Sequence, residues 1–94
     1  MAVDYEHHAD ERRYVARNDS EQIGFAEYRL DDDTIVFTHT VIDEDKRQKG
    51  MASALVQFAL DDVRSTTALR VAAECPYVTH WLGEHPDYQD LQSR

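Results

Sequence analysis

The chain has 94 residues, 41% of them hydrophobic, enough for one domain with a modest core and too few for two. Nineteen acidic residues against ten basic ones leave a formal charge of −9, and such a surface repels nucleic acid and anionic lipid. One cysteine, Cys75, excludes an internal disulfide and fits a reducing compartment, while no stretch approaches the ~20 apolar residues that span a bilayer. The charged start, Met1 to Arg13, lacks the apolar run of a secretory signal, so the expectation is a soluble, cytoplasmic protein.

Residues 1–11 are polar and read as a loose start. A short strand is expected over 12–17, carrying Tyr14 and Val15, and Asn18-Asp19-Ser20 has turn chemistry. Residues 22–30 alternate as a second strand, with Ile23, Phe25 and Glu27 on one face and Gly24, Ala26 and Tyr28 on the other. Asp31-Asp32-Asp33 is an acidic turn; it has no spaced ligand series after it and does not make a calcium loop. Residues 34–42 form the clearest strand, β-branched and aromatic, with Ile35, Phe37, His39 and Val41 facing one way and Val36, Thr38, Thr40 and Ile42 the other. Short connections make these three strands an antiparallel meander.

After the charged run 43–49 and Gly50, a helix is expected over 51–64. Ser53, Gln57, Asp61 and Arg64 form a narrow polar stripe on it, and the remaining apolar residues bury most of its circumference. Residues 69–74 then read as a fourth strand, parallel to the third through a βαβ crossover. Pro76 suits the first turn of a last helix over 77–84, ended by Gly83 and Pro86. The expected fold class is α/β (α+β) in a single domain, 1–94. Trp81, Leu82 and Tyr88 are read as a cap on the core. The histidines, His7-His8 in the tail and His80 and His85 five apart across a glycine, suggest no metal site.

The chemistry concentrates at the junction Arg47-Gln48-Lys49-Gly50-Met51-Ala52. The first turn of a helix has backbone N–H groups without partners and carries about half a positive charge. Small residues at Gly50 and Ala52 let an anion approach that backbone, and Arg47 and Lys49 add side-chain charge. A diphosphate fits such a place. On local chemistry alone an ordinary loop glycine in a solvated basic turn is the favoured reading, and Asp43-Glu44-Asp45 would offset the attraction unless they point away.

The loop resembles the pyrophosphate-binding motif of the GNAT N-acetyltransferase superfamily, Arg/Gln-x-x-Gly-x-Gly/Ala between a strand and a helix, matched by Arg47, Gly50 and Ala52. Nearly the whole chain, over roughly residues 13–91, is also similar to a subfamily of stand-alone GNAT-like proteins of about a hundred residues. The similarity is carried by Ser-Ala-Leu-Val in the helix, then Cys75-Pro76-Tyr77, then His85-Pro86-Asp87-Tyr88. The resemblance implies acetyl-CoA as co-substrate. Its diphosphate would lie against Arg47 to Ser53, and its pantetheine arm along Thr40, Val41 and Ile42 and near Cys75 and Pro76. It implies acetyl transfer to a small-molecule or protein amine, by a monomer or homodimer. Two departures stand out. The first two strands are joined by a few residues where larger members insert two helices, and Gln48 stands where the short subfamily often has glycine.

Within that frame Cys75 has three readings: a covalent acetyl acceptor, a group lining the pocket during direct transfer, or a small buried apolar residue. His39 is a candidate base, its bland alternative a strand histidine satisfied by neighbours, and Tyr77 a candidate acid, its bland alternative packing; Glu74 would act through water. Rival functions are a non-catalytic CoA-binding module and a protein-interaction domain that keeps the fold without the chemistry.

Overall fold

A computed structural model describes residues 3–43 and 50–94. One five-stranded sheet, ordered as the strands occur in the chain, carries two helices. Strands β1 (Val3–His8), β2 (Arg13–Asn18), β3 (Glu21–Asp31) and β4 (Thr34–Ile42) are antiparallel neighbours, and β5 (Arg70–Ala73) pairs with β4 in parallel. Helix α1 (Met51–Thr66) connects β4 to β5, α2 (Pro76–Glu84) follows, and a 3-10 stretch, Pro86–Ser93, completes the described chain.

The expected meander is therefore four strands long. Val3–His8, read as loose, pairs along its whole length with β2, from Val3 opposite Asn18 to His8 opposite Arg13. Its polar composition hides the strand, because the side chains that hold it are themselves polar or aromatic. Tyr5 stacks on Phe58 of α1 at 5.7 Å between ring centres. The His7 ring stacks on Tyr14 at 4.2 Å, and its two nitrogens lie 2.6 Å from the Tyr28 hydroxyl and 3.3 Å from Asp62 of α1. The Tyr14 hydroxyl donates to Asp62 at 2.8 Å; burial first, and the neighbouring carboxylate second, push the Tyr14 phenol far above its ordinary value.

α1 buries Met51, Leu55, Val56, Ala59, Leu60 and Val63 against one face of the sheet, leaving Gln57, Asp61 and Arg64 exposed. The burial is narrower than the sequence suggests, since Ala52, Ala54 and Phe58 are only half covered. α2 adds Val78, Trp81 and Leu82 to the same core, and the Trp81 indole donates to Ser53 at 2.8 Å. The C-terminal residues lock this layer: Leu91 is fully buried, and the Arg94 guanidinium donates to the carbonyls of Arg64, Thr67 and Leu69 where α1 ends.

Two irregularities overturn the simple alternation expected for β3 and β4. Between β2 and β3 the register steps from Ala16–Gly24 to Arg17–Gln22, so Ile23 is the extra residue and turns into the core with Ala26 and Tyr28. Between β3 and β4 it steps from Tyr28–Phe37 to Glu27–His39, so Thr38 is extra. A bulge of this kind reverses which face later residues occupy. Ile35 and Phe37 face the helices; beyond the bulge Ile42 does, and His39 and Val41 face away.

The close pairing of β3 with the end of β4 depends on Gly24. A Cβ there would stand 2.8 Å from the Val41 carbonyl oxygen and overlap the Ile42 side chain. Backbone on a central strand cannot give way cheaply, so Gly24→Ala should cost about 1–3 kcal/mol and lower the melting temperature by roughly 4–8 °C per kcal/mol. Gly83 lies in α2 with open space around it. Gly83→Ala should leave melting unchanged or raise it, by up to ~1 kcal/mol of helix propensity. Thermal melts of the two variants check the contrast.

Candidate active site

The site starts where β4 and β5 part. Their parallel pairing runs from Thr34–Arg70 to Phe37–Ala73 and stops. The Phe37 carbonyl then accepts two N–H groups, from Glu74 at 2.8 Å and Cys75 at 3.1 Å, and the chain turns into α2 with Pro76 at its start. Residues 39–42 keep β3 on one side, from His39–Glu27 to Ile42–Gly24. Among the described residues no strand pairs with their other side. The result is a fork, one prong of which has no strand partner past Phe37 among the described residues, so backbone groups on that edge are not consumed by a ladder.

Thr38 sets the fork's shape. Its hydroxyl donates to the Glu27 carbonyl at 3.2 Å, which pins the bulge. Past it, Thr40 turns toward the helix side and meets Cys75, Oγ1 to Sγ at 3.5 Å. Cys75 is buried. Burial pushes its thiol pKa up, but hydrogen bonding with the Thr40 hydroxyl, which accepts from the neutral thiol and can turn to donate to the thiolate, with the backbone N–H groups of Val78 and Tyr77 at the start of α2, and with the Thr40 backbone outweighs it. The thiol consequently lies below its ordinary value. The Tyr77 side chain is exposed on the first turn of α2.

The bulge sends His39 the other way. Its ring is exposed on the helix-free face, with Nδ1 3.1 Å from Thr38 Oγ1 and 3.4 Å from Glu27 Oε1. The expectation that His39 shares a face with Phe37 is thereby corrected: His39 and Cys75 flank the fork from opposite faces of the sheet. Beside His39 lies an open depression of ≈ 590 Å³ lined by Glu11, Arg12, Glu27, Tyr28, Arg29, Thr38, His39 and Glu74. Within it Arg29 grips Glu74 through two hydrogen bonds, at 3.2 and 3.0 Å. Those bonds, with a smaller contribution from His39, hold the Glu74 carboxyl below the usual value. Arg13 pairs with Glu27 at 3.1 Å. Sequence reasoning missed Arg12, Arg29 and Thr38, because their nearness is created by register and by the bulge. The signal it did contain was Glu27, a charge inside an otherwise apolar strand pattern.

The other end of the candidate site is the start of α1. Gly50 is the residue before its first turn, with φ +81°, a left-handed conformation that glycine adopts without strain. Among the described residues no side chain caps this terminus, and no acidic residue lies in its first turn; the first N–H groups of a helix lack partners within it and suit an anion. Met51 is buried and belongs to the core, Ala52 is half covered, and the Ser53 hydroxyl is engaged by Trp81. Arg47, Gln48 and Lys49 lie outside the described residues. His80 is held by Glu84 at 2.9 Å, and His85 stacks on Trp81 at 3.6 Å with Nδ1 donating to the Trp81 carbonyl. No helix among the described residues is long and apolar enough to cross a membrane.

Comparison with known proteins agrees with this architecture. Among curated proteins no match was found. The crystal structure of a ribosomal-protein-alanine N-acetyltransferase from Brucella melitensis biovar Abortus 2308 superposes with a TM-score of 0.52 at 21% identity, over 86% of this chain and 59% of that one. At that identity the likeness is one of fold, and this chain spans well under two thirds of the other protein's length. The GCN5-related N-acetyl-transferase family profile matches residues 13–91, from the first residue of β2 into the C-terminal 3-10 stretch. A match over so much of the chain, together with the fork and its parallel β4–β5 pair, makes this chain a member of the GCN5-related N-acetyltransferase family.

Proposed function

We propose that the chain transfers an acetyl group from acetyl-CoA to a primary amine. The observation that carries the reading is the fork at Phe37, with the start of α1, which no described side chain caps, as its companion. An extended pantetheine arm would add to the open edge of β4 at Thr40, Val41 and Ile42 much as a strand would. The diphosphate would take the first N–H groups of α1, at Met51, Ala52 and Ser53, approaching over Gly50. Arg47 and Lys49 would supply countercharge and Gln48 a neutral donor, while Cys75 and Pro76 would border the thioester.

In the reaction the amine lone pair attacks the thioester carbonyl carbon and the carbon–sulfur bond breaks. Its electron pair goes to sulfur, which takes a proton, and the amine nitrogen gives one up. His39, exposed on the helix-free face, suits the proton acceptor, and Tyr77, at the head of α2, suits the donor to sulfur. A second route is favoured by the environment of Cys75. Hydrogen bonds that lower its pKa enlarge its thiolate fraction, and that thiolate would take the acetyl group first, as a thioester, before passing it to the amine.

Acetyl-CoA should raise the melting temperature, by about 2.7 kcal/mol of stabilisation at a hundredfold excess over Kd. Gly50→Glu should abolish that shift, since it puts a carboxylate and a side chain where the diphosphate approaches. A normal shift in a folded Gly50→Glu protein would move the cofactor elsewhere, and no shift at millimolar acetyl-CoA in the native chain would favour an interaction domain. Release of free CoA with a panel of amines separates an enzyme from a CoA-binding module.

The thiol itself is open to titration by thiolate absorbance. Its midpoint should fall below that of an ordinary cysteine, and Thr40→Val, which removes a donor to the thiolate, should move it upward. Mass spectrometry after incubation with acetyl-CoA decides between the routes: an acetylated Cys75 supports the covalent one, and an unmodified Cys75 with turnover supports direct transfer.

A further inference from the structure

We infer that Arg12 selects the acceptor, and that the preferred acceptors are small amines that also carry a carboxylate. The inference rests on the acetyl-transfer reading above and concerns the depression on the helix-free face. That depression opens beside the fork, on the side where His39 stands, so an amine reaching the thioester from solvent passes through it.

Its charges are not equivalent. Glu27 is engaged by Arg13 and His39, Glu74 by Arg29 through two bonds, and Glu11 by His8 at 3.2 Å. Arg12 is the lining cation for which no side-chain hydrogen bond or carboxylate partner is found among the described residues; its charge bears only on the Tyr28 phenol there. Its backbone is nonetheless held firmly. The Arg12 N–H donates to the Ala9 carbonyl at 3.2 Å, and its own carbonyl accepts from Tyr28 at 2.9 Å. Its φ of 56° is a left-handed conformation that a residue with a Cβ occupies at a cost. Glycine or asparagine would suit that turn better. An arginine fixed there, with its guanidinium unpaired over an open hollow, presents a fork of donors matched to a carboxylate.

The geometry also limits length. Arg12 adjoins β2 level with Tyr28 and Phe37, while the reacting edge lies on β4 near Thr40, two strand spacings across, about 10 Å, and two ladder steps along, about 7 Å. The long arginine stem covers part of that span, so the acceptor bridges the remainder with its carboxylate at Arg12 and its amine at the fork. Amino acids with the amine at the far end of a short chain fit this better than glycine.

The test measures kcat/KM with acetyl-CoA for glycine, 4-aminobutyrate and 6-aminohexanoate, each beside its carboxamide. The acids should exceed their amides by roughly tenfold or more in at least one of the longer pairs, the effect of one charge-assisted contact. R12Q should bring that ratio toward one through a raised KM for the acid, and R12K should keep part of it. Amides that serve as well as acids in the native chain, or a preference that survives in R12Q, would overturn the assignment. A melting shift with acetyl-CoA but no turnover of any acid would also overturn it while leaving cofactor binding intact, whereas absence of the shift would count against the underlying reading too.

Discussion

The Phe37 carbonyl is the point on which the arrangement turns. By accepting from both Glu74 and Cys75 it ends the parallel ladder, and the chain leaves the sheet for α2 while β4 continues without a strand partner on that side among the described residues. Thr38, one residue on, adds the bulge that reverses the faces. Without these two features β4 would be an ordinary central strand, its backbone groups consumed. With them, Thr40 and Cys75 close the fork from the helix side while His39 and the depression open it to solvent on the other. Gly24 permits the close contact that holds the open end of β4 against β3.

Much of this was legible in the sequence. The β-branched run 34–42, the apolar periodicity after Gly50 and the short strand before Pro76 led directly to β4, α1, β5 and α2, and Gly50 marked the helix start whose left-handed backbone the fold requires. What stayed hidden depends on register. Alternation assumes unbroken pairing, and two extra residues, Ile23 and Thr38, break it, so His39 could be assigned to a strand but not to a face. β1 was hidden for a different reason. Its composition is that of a solvated tail, and only contacts distant in sequence, His7 with Tyr28 and Tyr5 with Phe58, hold it to the sheet. Arg12 gave no signal at all, since the role proposed for it rests on the acids lining the depression having found other partners among the described residues.

The charge distribution fits the proposed chemistry better than the net charge does. A formal charge of −9 repels anions at long range, yet both lysines of the chain, Lys46 and Lys49, fall with Arg47 in the short run before α1. At physiological ionic strength screening acts over about 8 Å, so three bases and a helix start can hold a diphosphate on an acidic protein provided Asp43, Glu44 and Asp45 beside them point away.

If acetyl-CoA binds along the free edge of β4 and over the start of α1, amide chemical shifts during a titration with acetyl-CoA should move most at Thr40 to Ile42 and at Gly50 to Ser53, with little change along β1. Shifts concentrated elsewhere, or none at saturating ligand, would place the cofactor off this edge.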